Sequence, residues 1–355
     1  MRRALPLVVP VAVFAVLAFV PASHGSLGKV FPGPLDSPGT LQLLAVCLVF
    51  AGVALSYDLL FGWTGLLSFG HALYFAADAY VADIAITRWQ WSFFEACLIT
   101  AAVGLVLPVV VGWISLRTSG IAFAMVTLAF AQVGQILVQK NPHGWTGGDD
   151  GLGYDYQNVP STFVGVVNTK NLYWLALAYA AVVFGIVAWS VHSSPGHVWQ
   201  AVRENERRVE VLGLRTRRYK LLAFVLASFL ATAGGVVYLL AVNGANPSIT
   251  TPDFTLMLLV MVVLGGTGTL WGPLLGGALY WYADQRLLAV GGSDAVQGLP
   301  AVLRTPLEQP LFVLGVLFIL VVFFLPGGIA GLGSRSRAGR RRLEAVFRRP
   351  VEDGA

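Results

Sequence analysis

Along most of its length the chain repeats one pattern: a run of roughly twenty apolar residues, a short break carrying glycine, proline or charge, and another run. Such runs lie at about residues 4–22, 40–60, 72–86, 93–116, 121–138, 172–191, 221–242, 254–264, 274–290 and 306–325. Only 12% of the 355 residues are charged and 56% are hydrophobic, against about 25% charge in a soluble domain. Backbone in hydrocarbon must satisfy its own hydrogen bonds, and runs of this length do so as helices. The expected fold is all-α: a polytopic membrane helical bundle of about ten transmembrane helices, forming one domain over residues 1–330. Residues 331–355 form a basic tail, expected to be disordered and cytoplasmic, with attraction to anionic lipid as a second reading. The run at 254–264 is short for a core ~30 Å thick, and segments broken by glycine are candidates for re-entrant backbone.

Charge tests the count. With ten spans both termini share a face with Arg2, Arg3, Arg117, the basic residues from Arg203 to Lys220 and the tail arginines. Lys29, Arg88, Lys140, Lys170, Arg286 and Arg304 are left on the other face. The positive-inside rule then puts the first face, and both termini, in the cytoplasm. Met1–Ala22 also has the parts of a signal peptide, but its run is nearly long enough to span. Cys47 and Cys97 sit in apolar runs and read as core residues, and the five histidines have no metal spacing. The net charge of +5 reads as topology, not as nucleic-acid binding.

The longest polar segment inside the apolar region runs from Ser194 to Lys220. Ser194 can cap a helix, Pro195 suits its first turn, and Gly213 can end it in the left-handed conformation. Val198, Ala201, Val202, Val209 and Leu212 recur at helical spacing, while Arg203, Glu204, Arg207, Arg208 and Glu210 fill the other face. Glu204 precedes Arg208 by four residues, the stabilising order. With Asn205 and Glu206 between them, these residues predict an amphipathic helix over about 195–213. It is either a solvated loop or a docking surface for a soluble partner.

Other breaks carry polar groups into the apolar region. Gly62-Trp-Thr64-Gly65-Leu-Leu-Ser68-Phe-Gly-His71 separates two runs, and irregular backbone at that depth is tolerated only inside protein or beside a water-filled cavity. Tight packing through small residues explains the same glycines. Asp78 lies two helical turns after His71, and an acid inside a span is a functional candidate by default. Pairing with a donor in the bundle explains it equally. Asp83, a turn further, reads as interfacial. Thr127 places a hydroxyl in an apolar run, facing either its own helix or a solute. Trp145-Thr-Gly-Gly-Asp-Asp-Gly-Leu152 lacks the spacing of a calcium loop and reads as an external turn. Gly265-Gly-Thr-Gly-Thr-Leu-Trp-Gly-Pro273 lacks the Gly-Lys-Ser/Thr of a phosphate loop.

Taken together, these segments resemble the permease subunits of bacterial branched-chain amino acid ABC transporters, over residues 40–330. The similar stretches are 62–71, Leu116-Arg-Thr-Ser-Gly-Ile-Ala-Phe-Ala-Met-Val-Thr-Leu-Ala-Phe130, 145–152, 194–224 and 265–273. The resemblance implies a non-enzymatic subunit that forms half of a translocation path for branched-chain or related amino acids. It implies as partners a second related permease, two ATP-binding subunits and an external solute-binding protein, with no cofactor or metal of its own. Gly62, Thr64, Gly65, Ser68, His71, Asp78 and Thr127 are then pathway candidates. Val198, Ala201, Val202, Arg203, Glu204, Asn205, Glu206, Leu212 and Gly213 belong to a coupling helix seated in the ATPase. One departure stands out: the family has glycines where this chain reads Ala76 and Asp78. That leaves room for a urea or short-amide importer of the same superfamily. A stand-alone secondary transporter coupled through such acids is the rival from outside it.

Overall fold

The computed structural model describes residues 13–22, 34–291, 309–325 and 327–331. The basic tail, the start of the first run and most of the segment between the last two runs lie outside these residues. Residues 13–18 form α1. There follow α2 (Pro38–Asp58), prolonged by a π turn (Leu59–Thr64), α3 (His71–Thr87), α4 (Phe93–Ser115), α5 (Ile121–Lys140) and α6 (Thr169–Val191). The chain continues through α7 (Ser194–Val211), α8 (Thr216–Val242), α9 (Pro252–Gly265), α10 (Trp271–Gly291) and α11 (Pro310–Phe324). The all-α expectation holds among the described residues.

Six described stretches are long and apolar enough to cross a membrane: Pro38–Thr64, Phe93–Ser115, Ile121–Lys140, Val166–Val191, Thr216–Val242 and Pro310–Gly331. The expected ten are not reached on these grounds. Helix α3 has 17 residues and two aspartates, and α9 has only 14, about 21 Å at 1.5 Å per residue. Each follows a stretch that is not α-helical, residues 65–70 before α3 and 243–251 before α9.

Helix α2 is the centre. Every residue from Ala45 to Leu60 is buried, and α2 packs against α6, α8, α9 and α10. A helix apolar on all sides must be surrounded. Phe50 ties the layers together. It stacks on Trp281 of α10 at 4.3 Å and meets Phe75 of α3, Tyr238 of α8 and Phe254 of α9 at 6.2, 5.9 and 5.8 Å. Helices α4 and α5 lie at the periphery, with only 28% of their most apolar windows buried, so most of their surface is left for lipid or another chain.

Helix α7 differs from the expected rod. Its cap is Ser193, not Ser194: the Ser193 hydroxyl accepts from the Gly196 amide at 3.4 Å. Asn205 has φ −161° and ψ 98°, which divides the helix in two. The Asn205 side chain restarts it, accepting from the Arg208 amide at 3.1 Å. Glu204 and Arg208 therefore straddle a break and are not one turn apart on a helix. Val202 and Val209 are buried as expected and Val198 is half-buried, but Ala201 and Leu212 are exposed. The main anchor is Trp199, 1% exposed, whose indole N–H donates to the Tyr219 carbonyl at 2.8 Å. Gly213 ends the segment at φ 84°, as expected.

Removing the Trp199 side chain should loosen α7 from α8. Trp199→Ala is expected to cost about 3–5 kcal/mol, and Trp199→Phe, which loses chiefly the hydrogen bond, about 1 kcal/mol. Thermal unfolding of the purified variants in detergent measures the difference. Equal losses in the two would show that packing contributes little here.

Candidate functional site

Two stretches outside the α-helices pack against the bundle. Residues 65–70 lead from the π turn to α3, and residues 243–251, with a 3-10 turn at Pro247–Thr250, lead from α8 to α9. The second stretch descends along α3. The Ala245 amide donates to Asp83 at 3.0 Å, and Thr255 meets Ala72, eleven residues away on α3, or about 17 Å. In an apolar interior each exposed peptide group needs a partner. Both groups of Phe69 find threonine hydroxyls. Its N–H donates to Thr127 of α5 at 3.1 Å, and its carbonyl accepts from Thr255 of α9 at 3.2 Å. The Thr255 hydroxyl also accepts from the Ala72 amide at 3.1 Å, and Thr127 donates to Ala124 at 2.8 Å.

Ser68 and His71 belong to the same crossing. Both are fully buried. The Ser68 hydroxyl accepts from the Gly70 amide at 3.2 Å, and its carbonyl accepts from the Tyr57 phenol at 3.1 Å. His71 Nε2 lies 3.0 Å from the Ser56 hydroxyl, which itself donates to the Val53 carbonyl at 2.7 Å. The other ring nitrogen, Nδ1, is buried with no protein partner. An unmatched polar atom in an interior marks a position worth assigning.

Gly62, Thr64 and Gly65 lie elsewhere, at the α7 end of the bundle. Thr64 donates to the Leu59 carbonyl at 2.8 Å and stabilises the π turn. Arg203 of α7 donates from Nη1 to the Gly62 carbonyl, and its aliphatic stem packs on Gly65. Asp58, at the end of α2, is fully buried and accepts twice from the Gly268 amide, at 3.0 and 3.1 Å. A Cβ at Gly62 would strike both that carboxylate and the Gly268 backbone. One cluster thus joins α7, the break after α2 and the break between α9 and α10. Asp58 was missed by sequence reasoning. The signal was present, since it is an acid within an apolar run, the criterion that selected Asp78.

Asp78 is not brought together with His71 or Thr127. His71 faces α2, whereas Asp78, 2% exposed, packs against α4 and α8. There a Cβ on Gly104 would collide with the Asp78 carboxylate and the Thr232 hydroxyl. One carboxylate oxygen, Oδ1, has no partner. Asp83 faces protein on all sides. It is fully buried, accepting from Thr87 at 3.0 Å and from Ala245, and so pins the descending segment. The pin is extended by a bridge of Leu152 with Ala245 and by Tyr154, which donates to Asn243 at 3.0 Å. Burial first, then the nearby Tyr156 and Asp83, push the Tyr154 phenol up to about 12, so it remains a donor. Residues 145–152 form the expected turn, with Asn141 accepting from the Thr146 and Gly147 amides.

Comparison with known families matches residues 39–322 to the permease component of branched-chain amino acid transport systems. A match of this extent shows that the chain belongs to that family, a multi-pass membrane component of ABC transport whose transmembrane subunits are not catalytic. Among individual relatives, the chain is 25% identical over 319 residues to the high-affinity branched-chain amino acid permease protein LivM of Escherichia coli (strain K12), covering 82% of this chain and 70% of LivM. It is 24% identical over 318 residues to BraD of Pseudomonas aeruginosa, covering 81% and 93%. It is 23% identical over 301 residues to LivH of Salmonella typhimurium, covering 79% and 91%. No solved structure matches the chain.

The crossing at Phe69 can be tested without transport. Thr255→Val leaves the Phe69 carbonyl and the Ala72 amide unpaired and should cost about 2–4 kcal/mol, whereas Thr255→Ser should cost under about 1 kcal/mol. Denaturation in detergent discriminates them. A neutral Thr255→Val would show that water replaces the hydroxyl.

Proposed function

We propose that this chain is one of two related permease subunits in an ATP-driven importer of branched-chain or related amino acids. The observation that carries this reading is the cluster of Arg203, Gly62, Asp58 and Gly268. It links an exposed helix to both glycine breaks. In this reading α7 is the coupling helix, kinked at Asn205, and the basic face that includes it is cytoplasmic, with both termini on that side. Its outward surface offers Arg207, Arg208, Val211 and Leu212, the last two 84% and 78% exposed, to an ATP-binding subunit. ATP is bound by two such partners, and this chain needs no cofactor. Closure of the ATPases would push α7, and Arg203 would pass that displacement to the ends of α2 and α9. About ten helices cross the membrane once short α3 and α9, with the broken backbone that completes their depth, and also α10 and the first apolar run are added to the six long spans.

The solute path runs by the crossing at Phe69, where Ser68, His71 and Thr127 stand beside backbone that is not helical. Gly62, Thr64 and Gly65 form its gate at the cytoplasmic end. A solute-binding protein delivers the solute at the opposite face, where residues 145–152 turn. Asp78, pressed between α4 and α8 with one oxygen unpaired, supports an effect on solute preference through helix packing. A cationic or amide-bearing solute, as in urea and short-amide importers, is the alternative it keeps open.

Reconstituted with its partners, the chain should take up solute only with ATP, and co-purify with ATP-binding subunits. Uptake that follows a proton gradient without them would establish the secondary-transporter reading. Glu206 pairs with Lys220 at 2.5 Å, so Glu206→Lys places two like charges together. Gly213→Val forces a β-branched residue into the left-handed region. Both should lower ATP-driven uptake by tenfold or more while membrane insertion is normal. Unimpaired uptake in both would remove α7 from the coupling role. Asp78→Gly should alter the solute profile, and an unchanged profile would make Asp78 purely structural.

A further inference from the structure

Trp113, two residues before the end of α4, is 52% exposed and is approached by two guanidiniums from distant parts of the chain. The Arg117 Cζ lies 4.3 Å from the indole centroid, and the Arg217 Cζ lies 6.0 Å from it. Arg217 Nη2 also donates to the Trp113 carbonyl at 2.6 Å. The two charges are therefore within about 10 Å of each other, the screening length in 0.1 M salt. Arg215 and Arg218 flank Arg217 at the start of α8, and all three are exposed. That helix start has no acidic residue in its first turn and no side-chain cap.

The charge distribution has the wrong sign for a bare helix N-terminus, which favours anions. Of the three carboxylates on the preceding segment, Glu210 accepts from Thr216 at 3.0 Å and Glu206 pairs with Lys220, while Glu204 lies on the far side of the kink at Asn205. Among the described residues no carboxylate forms an ion pair with Arg117 or Arg217. The indole holds the two guanidiniums by cation–π attraction, and an anion between them would convert repulsion into two charge-assisted hydrogen-bonding contacts.

The setting selects the anion. One and two turns back along the same face of α4, Val110 and Val106 are 49% and 60% exposed, and Leu222 of α8 is 49% exposed. A cationic pair beside a half-exposed tryptophan, with an apolar track leading away from it, matches a phospholipid in outline. We propose that Arg117, Trp113 and Arg217 form a headgroup site for an anionic phospholipid, the phosphate lying between the guanidiniums and an acyl chain along Val110 and Val106. Such a lipid bridges the turn between α4 and α5 to the start of α8, next to α7. The proposal does not depend on what the protein transports.

Native mass spectrometry of the purified full-length chain, titrated with phosphatidylglycerol or with phosphatidylcholine of the same acyl chains, tests it. The anionic lipid should be retained at least tenfold more strongly. The Arg117→Gln/Arg217→Gln double variant should bring that ratio close to one, while Arg207→Gln on α7 leaves it unchanged. If the double variant does not fold, the exposed Arg117→Gln alone should lower the ratio several-fold. Equal retention of the two lipids by the unaltered chain overturns the site. So does an equal fall in the Arg207→Gln control, or displacement of the lipid by millimolar inorganic phosphate.

Discussion

A broken backbone inside a membrane protein has no water to turn to, and the arrangement of this bundle follows from that constraint. The peptide of Phe69 is completed by two threonines, from α5 and α9, and the descending segment after α8 is completed by Asp83. These contacts are long-range in sequence, so they form only if α3, α5, α8 and α9 are already side by side. Packing and polar satisfaction are thus one event. The cost of leaving such groups unpaired in an apolar medium, several kcal/mol each, holds the breaks in place.

The second junction has a different character. At the Phe69 crossing neutral hydroxyls serve peptide groups, but at the α7 end a buried carboxylate and a guanidinium do so. Asp58 takes the Gly268 amide and Arg203 takes the Gly62 carbonyl, so two ionisable side chains hold two glycine breaks against one surface helix. Hydrogen bonds hold direction better than dispersion contacts do, and a displaced Arg203 must either move the Gly62 peptide or leave it unpaired. This is the physical content of the coupling role proposed for α7. A lipid phosphate beside Arg217 would act on the same end of the molecule, through the start of α8.

The amphipathic segment was legible because its apolar positions recur at helical spacing, and Gly213 marked its end. Its kink at Asn205 was not, since asparagine is tolerated within a helix and the restart depends on a side-chain cap formed only once the turn is made. Trp199 was not among the apolar positions picked out by spacing, and its role rests on the Tyr219 carbonyl across a loop. Asp78 and His71 share a spacing of two turns, yet they meet different helices. Sequence spacing places residues on a face but does not say which neighbour that face will meet.

The sequence by itself determined the class of medium, the helical fold, the family and the location of the glycine breaks at 62–71 and 265–273, because hydrophobic run length and glycine placement are local properties. The tertiary structure alone decided which breaks meet, that Asp58 rather than Asp78 joins two of them, and that Asp83 is a buried pin. Those outcomes depend on residues as far as 210 positions apart finding each other, and on polar groups that, once buried, must be paired with whatever helix lies opposite.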